Sequence, residues 1–359
     1  MVTKLAIFTG SDIRAFGGGE KYIIELLKRI KHFDTEVISF RQENDLRLSE
    51  AKVKRILNAK LIFYNAFVIP ISKERLPFTK SGLKILSKIN LFDTLYIIDT
   101  SLPLLILILL ILKLKRSKTK IILGLHDPGF MRKSPYVNSF IRKFLLKIYL
   151  PIQKLVIFKI PNIHALNIET SIMLKKEGYR NFIYNIPNFL YTKESKIKKY
   201  HKNKRFTVLF VGRLDIRQKG LDFLKDIIEK VLSKHKDIEF HIIGSGKDGL
   251  YIIRSLTNKF KNNVKYFGFV NEDKLKNEYK NADIFILTSR IESFSLVTLE
   301  AQSYGLPVIS FDIPGPREII CDFSGKLIKP YNTEAFYNAI LIYYNLWKSN
   351  KLNSTNKNK

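Results

Sequence analysis

Two glutamates in the second half of the chain could bind a ligand that is rich in hydroxyl groups. Glu292 and Glu300 are separated by seven residues, within the sequence ADIFILTSRIESFSLVTLEAQSYGLP. The pattern predicts a buried strand over 284–287, a polar loop, and a helix that Ser295 caps and Gly305 ends. The N-terminus of such a helix offers unpaired N–H groups to an anion. Carboxylates beside an anion site favour the hydroxyls of a sugar or ribose.

A cluster of cations follows an earlier predicted strand, in the sequence VGRLDIRQKGLDFL. The strand ends at Gly212, and the loop then provides Arg213, Arg217 and Lys219 before a helix begins near Gly220. Fixed cations at the carboxyl end of a strand suit a diphosphate, because Arg can bind two oxygens at once and Lys supplies a point charge. The alternative interpretation is a solvated basic turn.

The sequence HIIGSGKDG contains Gly244, Gly246 and Gly249 in the spacing of dinucleotide-binding turns. The acidic residue expected about 20 positions later is missing from the next predicted strand end. A tight strand-to-helix turn that contacts a nucleotide is therefore the better interpretation.

Two features of the first half could also contact a ligand. Glycines 17–19 precede a predicted helix, where they let a ligand come close, and Glu20 lies in its first turn. A plain helix start is the alternative. His126 and Asp127 follow a predicted strand, where they could form a ligand-facing pair, although a structural histidine is the competing interpretation.

The alternation of apolar runs and helical patterns predicts an α/β fold with two doubly wound, Rossmann-like domains in tandem, whose parallel sheets face each other across a cleft. Strands are expected at 5–9, 37–40, 61–64, 95–98, 120–125 and 163–168, and again at 206–211, 238–243, 264–267, 284–287 and 308–311. The predicted divisions are a first domain at 1–190, a basic linker at 191–205, a second domain at 206–332, a helix at 333–350 that packs back toward the first domain, and a polar tail at 351–359.

Charge and composition bear on location and partners. The 359 residues carry a net charge of +30, most of it within residues 1–205. The basic, partly apolar stretch 132–159, together with 113–120, predicts a surface for anionic lipid headgroups, with solvated lysines on core helices as the alternative. The chain starts too polar for a signal peptide, and its one cysteine, Cys321, indicates a reducing cytosol. We expect a cytoplasmic protein, peripheral at the inner face of the cell membrane.

Several absences in the sequence narrow the chemistry. The apolar run 102–112 has eleven residues, too few to span a membrane, and predicts a buried crossover helix; a monotopic membrane contact is the alternative. No Asp is followed two residues later by another Asp, and we find no phosphate-loop consensus, cysteine cluster or zinc-type histidine pairing. These absences predict a mechanism without a metal or cofactor. No nucleic-acid motif is present, so nucleic acid is not an expected partner.

Taken together, these motifs resemble the retaining glycosyltransferases of family 4, which have the GT-B fold. The resemblance is densest over 206–320 and rests on the GR…KG element at 212–220, the two glutamates, the AxxxGxPVI continuation at 301–309 and GPREII from Gly315. Two positions depart from the family pattern. Ser293 stands where glycine is frequent, and Phe189 follows Asn188 where the family often has Asn-Gly.

The resemblance implies a role for each matching residue. Arg213 and Lys219 would hold the donor diphosphate, Glu292 the donor sugar and Glu300 the ribose, while His126 would reach the transferred sugar. The glycine loops and the amides at the start of the helix would contact phosphates or sugar. The implied catalytic residues are Arg213, Lys219, Glu292 and His126, and the implied donor-binding residues are Gly18, Gly19, Gly212, Gly244, Ser293, Phe294, Ser295, Leu296 and Glu300.

The expected function is therefore transfer of a sugar from a nucleotide diphosphate sugar to an acceptor hydroxyl, with the anomeric configuration retained. The expected acceptor is a lipid-linked or cell-surface glycan precursor. A catalytically inactive sugar-nucleotide-binding subunit and a sugar-nucleotide epimerase of the same architecture are the alternatives.

Overall fold

The computed structural model describes residues 2–15, 17–42, 48–57, 59–68, 75–76, 79–98, 101–126, 140–190 and 204–352. The chain forms two compact units, Met1–Tyr191 and Thr192–Lys359. Asp127, Arg132 and most of the predicted linker at 191–205 lie outside the described residues.

The first unit is built on a parallel sheet of seven strands in the order β3-β2-β1-β6-β7-β8-β9. Its strands are β1 (Lys4–Thr9), β2 (Asp34–Phe40), β3 (Lys60–Tyr64), β6 (Thr94–Ile98), β7 (Lys120–Leu125), β8 (Asn162–Ala165) and β9 (Phe182–Asn185), with a separate antiparallel pair β4 (Phe67–Val68) and β5 (Arg75–Leu76). Its helices are α1 (Gly18–Arg29), α2 (Glu50–Leu57), α3 (Lys80–Leu86), α4 (Leu102–Leu114), α5 (Phe140–Phe158) and α6 (Ile168–Lys176).

The second unit is built on a parallel sheet of six strands in the order β12-β11-β10-β13-β14-β15. Its strands are β10 (Phe206–Val211), β11 (Ile238–Ile243), β12 (Val264–Tyr266), β13 (Ile284–Leu287), β14 (Val308–Phe311) and β15 (Gly325–Ile328). Its helices are α7 (Ile216–Lys219), α8 (Leu221–Lys234), α9 (Leu250–Lys259), α10 (Glu272–Asn281), α11 (Leu296–Ser303), α12 (Pro316–Ile319) and α13 (Thr333–Lys348).

Strand order in the second unit defines where a ligand is expected. β10 lies between β11 and β13, so the chain adds strands first on one side of β10 and then on the other. In doubly wound sheets, ligands bind at the carboxyl ends of the strands where this reversal occurs. The loops after β10 and β13 meet this condition, and they carry the cations and Glu292.

Two expectations about individual elements need correction. The strand predicted at 163–168 ends at Ala165, because the Asn167 side chain accepts a hydrogen bond from the Thr170 amide and starts α6. Helix α4 is buried along one face only, since the side chains of Leu110 and Leu114 are 51% and 82% exposed.

Helix α13 packs on the sheet of the second unit, and the expected packing toward the first domain stays a prediction. Its aromatic face joins the core that covers β10 and α8, where Trp347 and Tyr344 contact the ring of Phe206. Burial of these large rings against the sheet removes apolar surface from water and stabilises the second unit.

Candidate active site

Lys219 is held at the end of a short turn between β10 and α8. The one-turn helix α7 starts where the Asp215 side chain accepts a hydrogen bond from the Gln218 amide, 2.7 Å away. It ends at Gly220, whose backbone has φ of 62°. A Cβ at Gly220 would lie 2.1 Å from the carbonyl oxygen of Thr288, so a glycine is required for this close approach.

The structure brings Lys219 and Glu292 together, although 73 positions separate them. The Lys219 Nζ lies 2.5 Å from Glu292 Oε1, and the two side chains are 13% and 9% exposed. The Ser289 hydroxyl donates to the same carboxylate oxygen, and the Thr288 hydroxyl donates to the Lys219 carbonyl. The loop after β13 therefore fixes both the side chain and the backbone of Lys219.

Arg290, which no sequence motif indicated, also stabilises the turn that carries Lys219. Its amide donates to the Gln218 carbonyl at 2.9 Å, and its guanidinium donates to the Ile216 carbonyl and to both carboxylate oxygens of Asp222. Burial raises the pKa of Asp222, but the hydrogen bond and charge of Arg290 outweigh it, so the net pKa is lowered. Arg290 thus fixes the position of α7.

Arg213 differs from Lys219 in its surroundings. It is exposed, and its side chain forms no ion pair with any residue that the structure describes. Gly212 precedes it, and a Cβ there would lie 3.8 Å from Cδ of Lys219. Arg213 and Lys219 therefore follow the same strand end, Arg213 with an exposed cation and Lys219 with a largely buried, paired one.

Gly244 packs against the backbone of the loop that carries Arg213. Its φ is 147°, and a Cβ would lie 1.7 Å from the Gly212 carbonyl oxygen. Farther along, the Gly249 amide donates to the Leu214 carbonyl, and the Leu214 amide donates to the Ser245 carbonyl. The predicted tight turn is present, and the close packing of two loops accounts for its glycine.

The start of α11 differs from the predicted cap. Ser295 has φ of 84°, and its hydroxyl lies 2.9 Å from the Thr298 hydroxyl, while its side chain makes no capping bond to a backbone amide. Non-glycine residues in this left-handed region cost about 1–3 kcal/mol and cluster at functional sites. The side chains of Phe294 and Leu296 are buried, so this segment can offer a ligand mainly its backbone amides.

Glu300 lies on α11 and is oriented by a residue that the sequence did not reveal. The buried Tyr279 hydroxyl donates to Glu300 Oε2 at 2.9 Å, and its ring stacks on Tyr304 with centroids 5.4 Å apart. Burial, followed by the charge of Glu300, raises the pKa of Tyr279 well above its usual value, so Tyr279 remains a hydrogen-bond donor. The carboxylate of Glu300 therefore has a defined orientation.

The glycine segment of the first unit is the start of α1. The helix begins at Gly18, and the Gly17 amide donates to Glu20 Oε2 at 2.7 Å. Glu20 is buried, and its carboxylate accepts the hydrogen bond from the amide that precedes the helix. A Cβ at Gly18 would have no neighbour within 4 Å, and Gly19 is half-buried. The structure confirms that this segment starts a helix. Its contact with a ligand stays a prediction.

His126 follows β7 and lies in a buried cluster of aromatic rings. Its Nε2 is 3.2 Å from the Tyr96 hydroxyl, and its ring meets the Tyr22 ring edge-on at 4.7 Å. The His164 ring is 5.4 Å away. Burial, followed by the charge of His164, lowers the pKa of His126 well below its usual value. His126 is therefore neutral at physiological pH.

Phe189, one of the two departures from the family pattern, has a packing role. Its ring lies 6.1 Å from that of Tyr22, and the Arg29 guanidinium lies 3.9 Å above it. An aromatic ring under a guanidinium contributes a cation–π interaction. Ser293, the other departure, is half-buried in the loop before α11.

Comparison with known proteins shows what the second unit is similar to. The model named "Glycosyl transferases group 1" matches residues 192–359. The chain is 36% identical over 143 residues to an uncharacterized 41.2 kDa protein in the cps region of Klebsiella pneumoniae, covering 38% of this chain and 37% of that protein. It is 37% identical over 131 residues to an uncharacterized glycosyltransferase of Methanocaldococcus jannaschii, covering 36% and 33%.

A third relative has a named substrate. Over 137 residues the chain is 28% identical to the phosphatidyl-myo-inositol mannosyltransferase of Mycobacterium leprae, covering 38% of this chain and 36% of that protein. The matched segments thus span about a third of these curated relatives.

Solved structures match nearly the whole chain. The lipopolysaccharide outer core galactosyltransferase WaaB in its apo form has a TM-score of 0.67 at 18% identity, covering 98% of this chain and 91% of that one. The HepE protein of Anabaena in complex with UDP has a TM-score of 0.72 at 16% identity, covering 99% and 92%. The chain has the GT-B fold, and its second unit matches the model of the glycosyl transferases group 1 family.

Proposed function

We propose that this protein is a retaining glycosyltransferase that moves a sugar from a nucleotide diphosphate sugar to an acceptor hydroxyl without a metal ion. The observation that carries the proposal is the position of Lys219 and Glu292. They form a largely buried pair where strand order reverses, and Arg213 lies on the same connection between β10 and α8 as Lys219. A cation fixed beside a carboxylate can bind a phosphate and a sugar hydroxyl at neighbouring positions.

The chemistry depends on charge that develops on the leaving group. When the bond between the anomeric carbon and the diphosphate oxygen breaks, its electron pair stays on the diphosphate. Lys219 is held before the reaction by Glu292, which Ser289 orients, and by Thr288, so it needs no rearrangement to stabilise this charge. Arg213 and the amides at the start of α11 would supply further donors.

Two carboxylates would then bind hydroxyls. Glu292 would contact the donor sugar and Glu300 the ribose, with Tyr279 keeping the Glu300 carboxylate oriented. His126 of the first unit would contact the transferred sugar. The match of the second unit to the glycosyl transferases group 1 model and the UDP bound by a protein of the same fold support a nucleotide donor.

The direct test is a panel of sugar nucleotides incubated with the purified full chain, with release of nucleoside diphosphate as the readout. We expect one donor to be hydrolysed slowly without acceptor and consumed faster with a lipid-linked acceptor, and the product to keep the anomeric configuration of the donor. Binding of a sugar nucleotide without any turnover would instead support an inactive binding subunit, and conversion of the sugar without transfer would support an epimerase.

We propose further that the acceptor is presented at an anionic membrane surface. At the end of α4 the exposed Leu110 and Leu114 lie among the exposed cations Lys113, Arg116 and Lys118. Such a mixture can insert apolar side chains while lysines contact anionic headgroups. None of the helices in the described part of the chain is long and apolar enough to cross a membrane.

Vesicle flotation tests the membrane contact. The full chain should float with vesicles that contain anionic phospholipid and much less with neutral ones. The double variant Lys113→Glu with Lys118→Glu should lose this preference, whereas Lys261→Glu with Lys326→Glu, two exposed lysines of the second unit, should keep it. Equal flotation with both vesicle types would contradict the membrane contact and leave the sugar transfer untouched.

A further inference from the structure

A buried polar cluster surrounds His126 and extends beyond the residues that the proposed reaction uses. Tyr22 of α1, Tyr96 of β6 and His164 of β8 join His126, and each is 3–6% exposed. Three hydrogen bonds centre on the Tyr96 hydroxyl, with distances of 3.1 Å to Tyr22, 3.2 Å to His126 and 2.5 Å to His164. A single hydroxyl proton must serve one of these bonds.

The hydrogen bonds of His164 determine which neighbour accepts the Tyr96 hydroxyl proton. Its Nε2 is 2.7 Å from the carbonyl oxygen of Ile186. A carbonyl can only accept, so Nε2 of His164 carries a hydrogen and donates it. In a neutral imidazole the other nitrogen, Nδ1, is then an acceptor. The Tyr96 hydroxyl must therefore donate its proton to His164 Nδ1.

The surroundings keep both histidines neutral. Their rings lie 5.4 Å apart in a buried site, and no carboxylate contacts either ring among the described residues. Burial lowers the pKa of His164 more than its bond to the Ile186 carbonyl raises it. For His126, burial and the neighbouring His164 act in the same direction.

The tautomer of His126 follows from the use of the Tyr96 proton. Because that proton goes to His164, the Tyr96 oxygen is left as an acceptor for its other two neighbours, and a phenol oxygen has two lone pairs. Tyr22 then donates its hydroxyl hydrogen to Tyr96, and His126 donates from Nε2. His126 therefore carries its hydrogen on Nε2 and a lone pair on Nδ1.

We propose that Tyr96 and His164 are positioning residues that hold His126 in the Nε2–H tautomer, so that Nδ1 is the atom with which His126 accepts a hydrogen bond from a hydroxyl of the substrate. This inference rests on the proposed contact of His126 with the transferred sugar. It predicts selection for a sugar with a hydroxyl at the contacted position over one that carries only an acceptor, such as a carbonyl or an ether.

The tautomer can be measured without any substrate. In the full chain labelled with ¹⁵N-histidine, long-range ¹H–¹⁵N correlation spectra distinguish the two tautomers and the charged ring, and a His126→Gln variant assigns the His126 signals. We expect His126 as the neutral Nε2–H form at neutral pH. A charged ring or the Nδ1–H form in the unchanged protein would overturn the proposal.

Two variants and one control test the mechanism of this selection. In His164→Phe, Tyr96 loses its acceptor and can donate to His126 Nε2, so His126 should shift to the Nδ1–H form. In Tyr96→Phe, His126 loses its partner and should show both tautomers. Tyr22→Phe keeps the ring and removes only a bond toward Tyr96, so it should leave the tautomer of His126 unchanged. An unchanged tautomer in both His164→Phe and Tyr96→Phe would overturn the proposal.

Activity provides a second and separable readout. With the donor found in the sugar-nucleotide panel, Tyr96→Phe and His164→Phe should lower kcat at least about tenfold with little change in KM, a pattern that a loss of folded protein does not give after correction for active concentration. Unchanged kcat in variants whose tautomer has shifted would contradict a role in catalysis. If the tautomers are as proposed but no sugar nucleotide is consumed, the proposed function fails while the hydrogen-bond assignment stands.

Discussion

At the scale of single residues, the site consists of ordinary cations and carboxylates whose positions are fixed by neighbours. Lys219 is held by Glu292 and Thr288, and Glu300 by Tyr279. Arg213 is exposed and can move onto a ligand. A paired, largely buried cation and an exposed one on the same loop can bind the diphosphate of a ligand from two positions.

Replacement of either cation by alanine should impair the chemical step. We expect Arg213→Ala and Lys219→Ala each to lower turnover by at least about a hundredfold, because both stabilise charge on the leaving diphosphate. Lys261→Ala is the matched control, since this exposed lysine precedes β12 and so lies at the opposite edge of the sheet. Wild-type rates in both site variants with the true substrate would show that the diphosphate assignment is wrong.

The sequence identified the residue types of the site better than their contacts. Lys219 and Glu292 were both predicted, but as ligands of different parts of the donor, and only the fold shows that they form a pair. Tyr279 and Arg290 were missed because their roles arise from distant parts of the chain that meet in space. Ser295 occupies the predicted N-cap position of α11, but it makes no side-chain capping bond, because its backbone is left-handed and its hydroxyl bonds to Thr298.

At the scale of elements, close packing between loops places the cations. The turn after β11 touches the backbone of the loop after β10, and the turn before α8 touches the loop after β13. These contacts leave no room for side chains at Gly244 and Gly220. The glycine pattern that resembles a dinucleotide-binding turn is therefore explained by backbone packing.

A methyl group at Gly244 should separate these loops. Gly244→Ala places Cβ 1.7 Å from the Gly212 carbonyl oxygen, so we expect the free energy of unfolding of the second unit to fall by about 2–4 kcal/mol. Trp347, the only tryptophan, lies in the core of this unit and reports its unfolding by urea through fluorescence.

The control for Gly244 is a glycine with a positive φ and open surroundings. Gly268 has φ of 66°, and a Cβ there would have no neighbour within 4 Å. Gly268→Ala should cost only about 1 kcal/mol, the backbone term alone. Equal losses at the two positions would mean that crowding against Gly212 does not matter.

Strand prediction succeeded in the centre of each sheet and failed at an edge of each. β9 and β15 were missed, and both lie at the end of a sheet. They are short and partly exposed, with sequences FIYN and GKLI, so they lack the continuous apolar run that marks a strand buried on both faces. The central strands β10 and β13 are buried throughout, and β11 has apolar residues at four of its six positions. The predicted bounds of all three match the structure.

The stability of the whole molecule depends also on charged residues outside the site. A cluster of one histidine and two glutamates connects β11 to α10. His241 lies between Glu278 and Glu239, at 2.6 Å and 3.0 Å. Burial lowers the pKa of His241, but the two carboxylates outweigh it, so the net pKa is raised. The hydrogen bond from His241 is the main cause that lowers the pKa of Glu239 to about 2, and the pKa of Glu278 is also lowered.

These shifts set a pH window for stability. Because folding raises the pKa of His241, the stability that this residue contributes is complete below its unfolded pKa of about 6.5. That stability is lost as pH rises through the folded pKa. Because folding lowers the pKa values of Glu239 and Glu278, the stability that these glutamates contribute is present above pH of about 4.5. That stability is lost as pH falls through their folded pKa values. The cluster should therefore stabilise the second unit most in mildly acidic solution.

Replacement of His241 tests this window. His241→Gln should lower the free energy of unfolding by about 1–3 kcal/mol more at pH 6 than at pH 10, because a hydrogen-bonded charge is lost only where the ring is charged. Urea unfolding followed by Trp347 fluorescence measures the difference. His32→Gln, at an exposed histidine, should have equal and small effects at both pH values. A loss for His241→Gln that does not depend on pH would contradict the charged cluster.

The central claim is that the second unit binds the diphosphate of a nucleotide through Lys219 and Arg213, and calorimetric titration tests it most directly. The full chain should bind one nucleoside diphosphate at least about tenfold more tightly than the corresponding monophosphate, a difference of about 1.4 kcal/mol. Arg213→Ala and Lys219→Ala should abolish that preference, and Lys261→Ala should retain it. Equal affinity for monophosphate and diphosphate, or a preference that survives both replacements, would contradict the account.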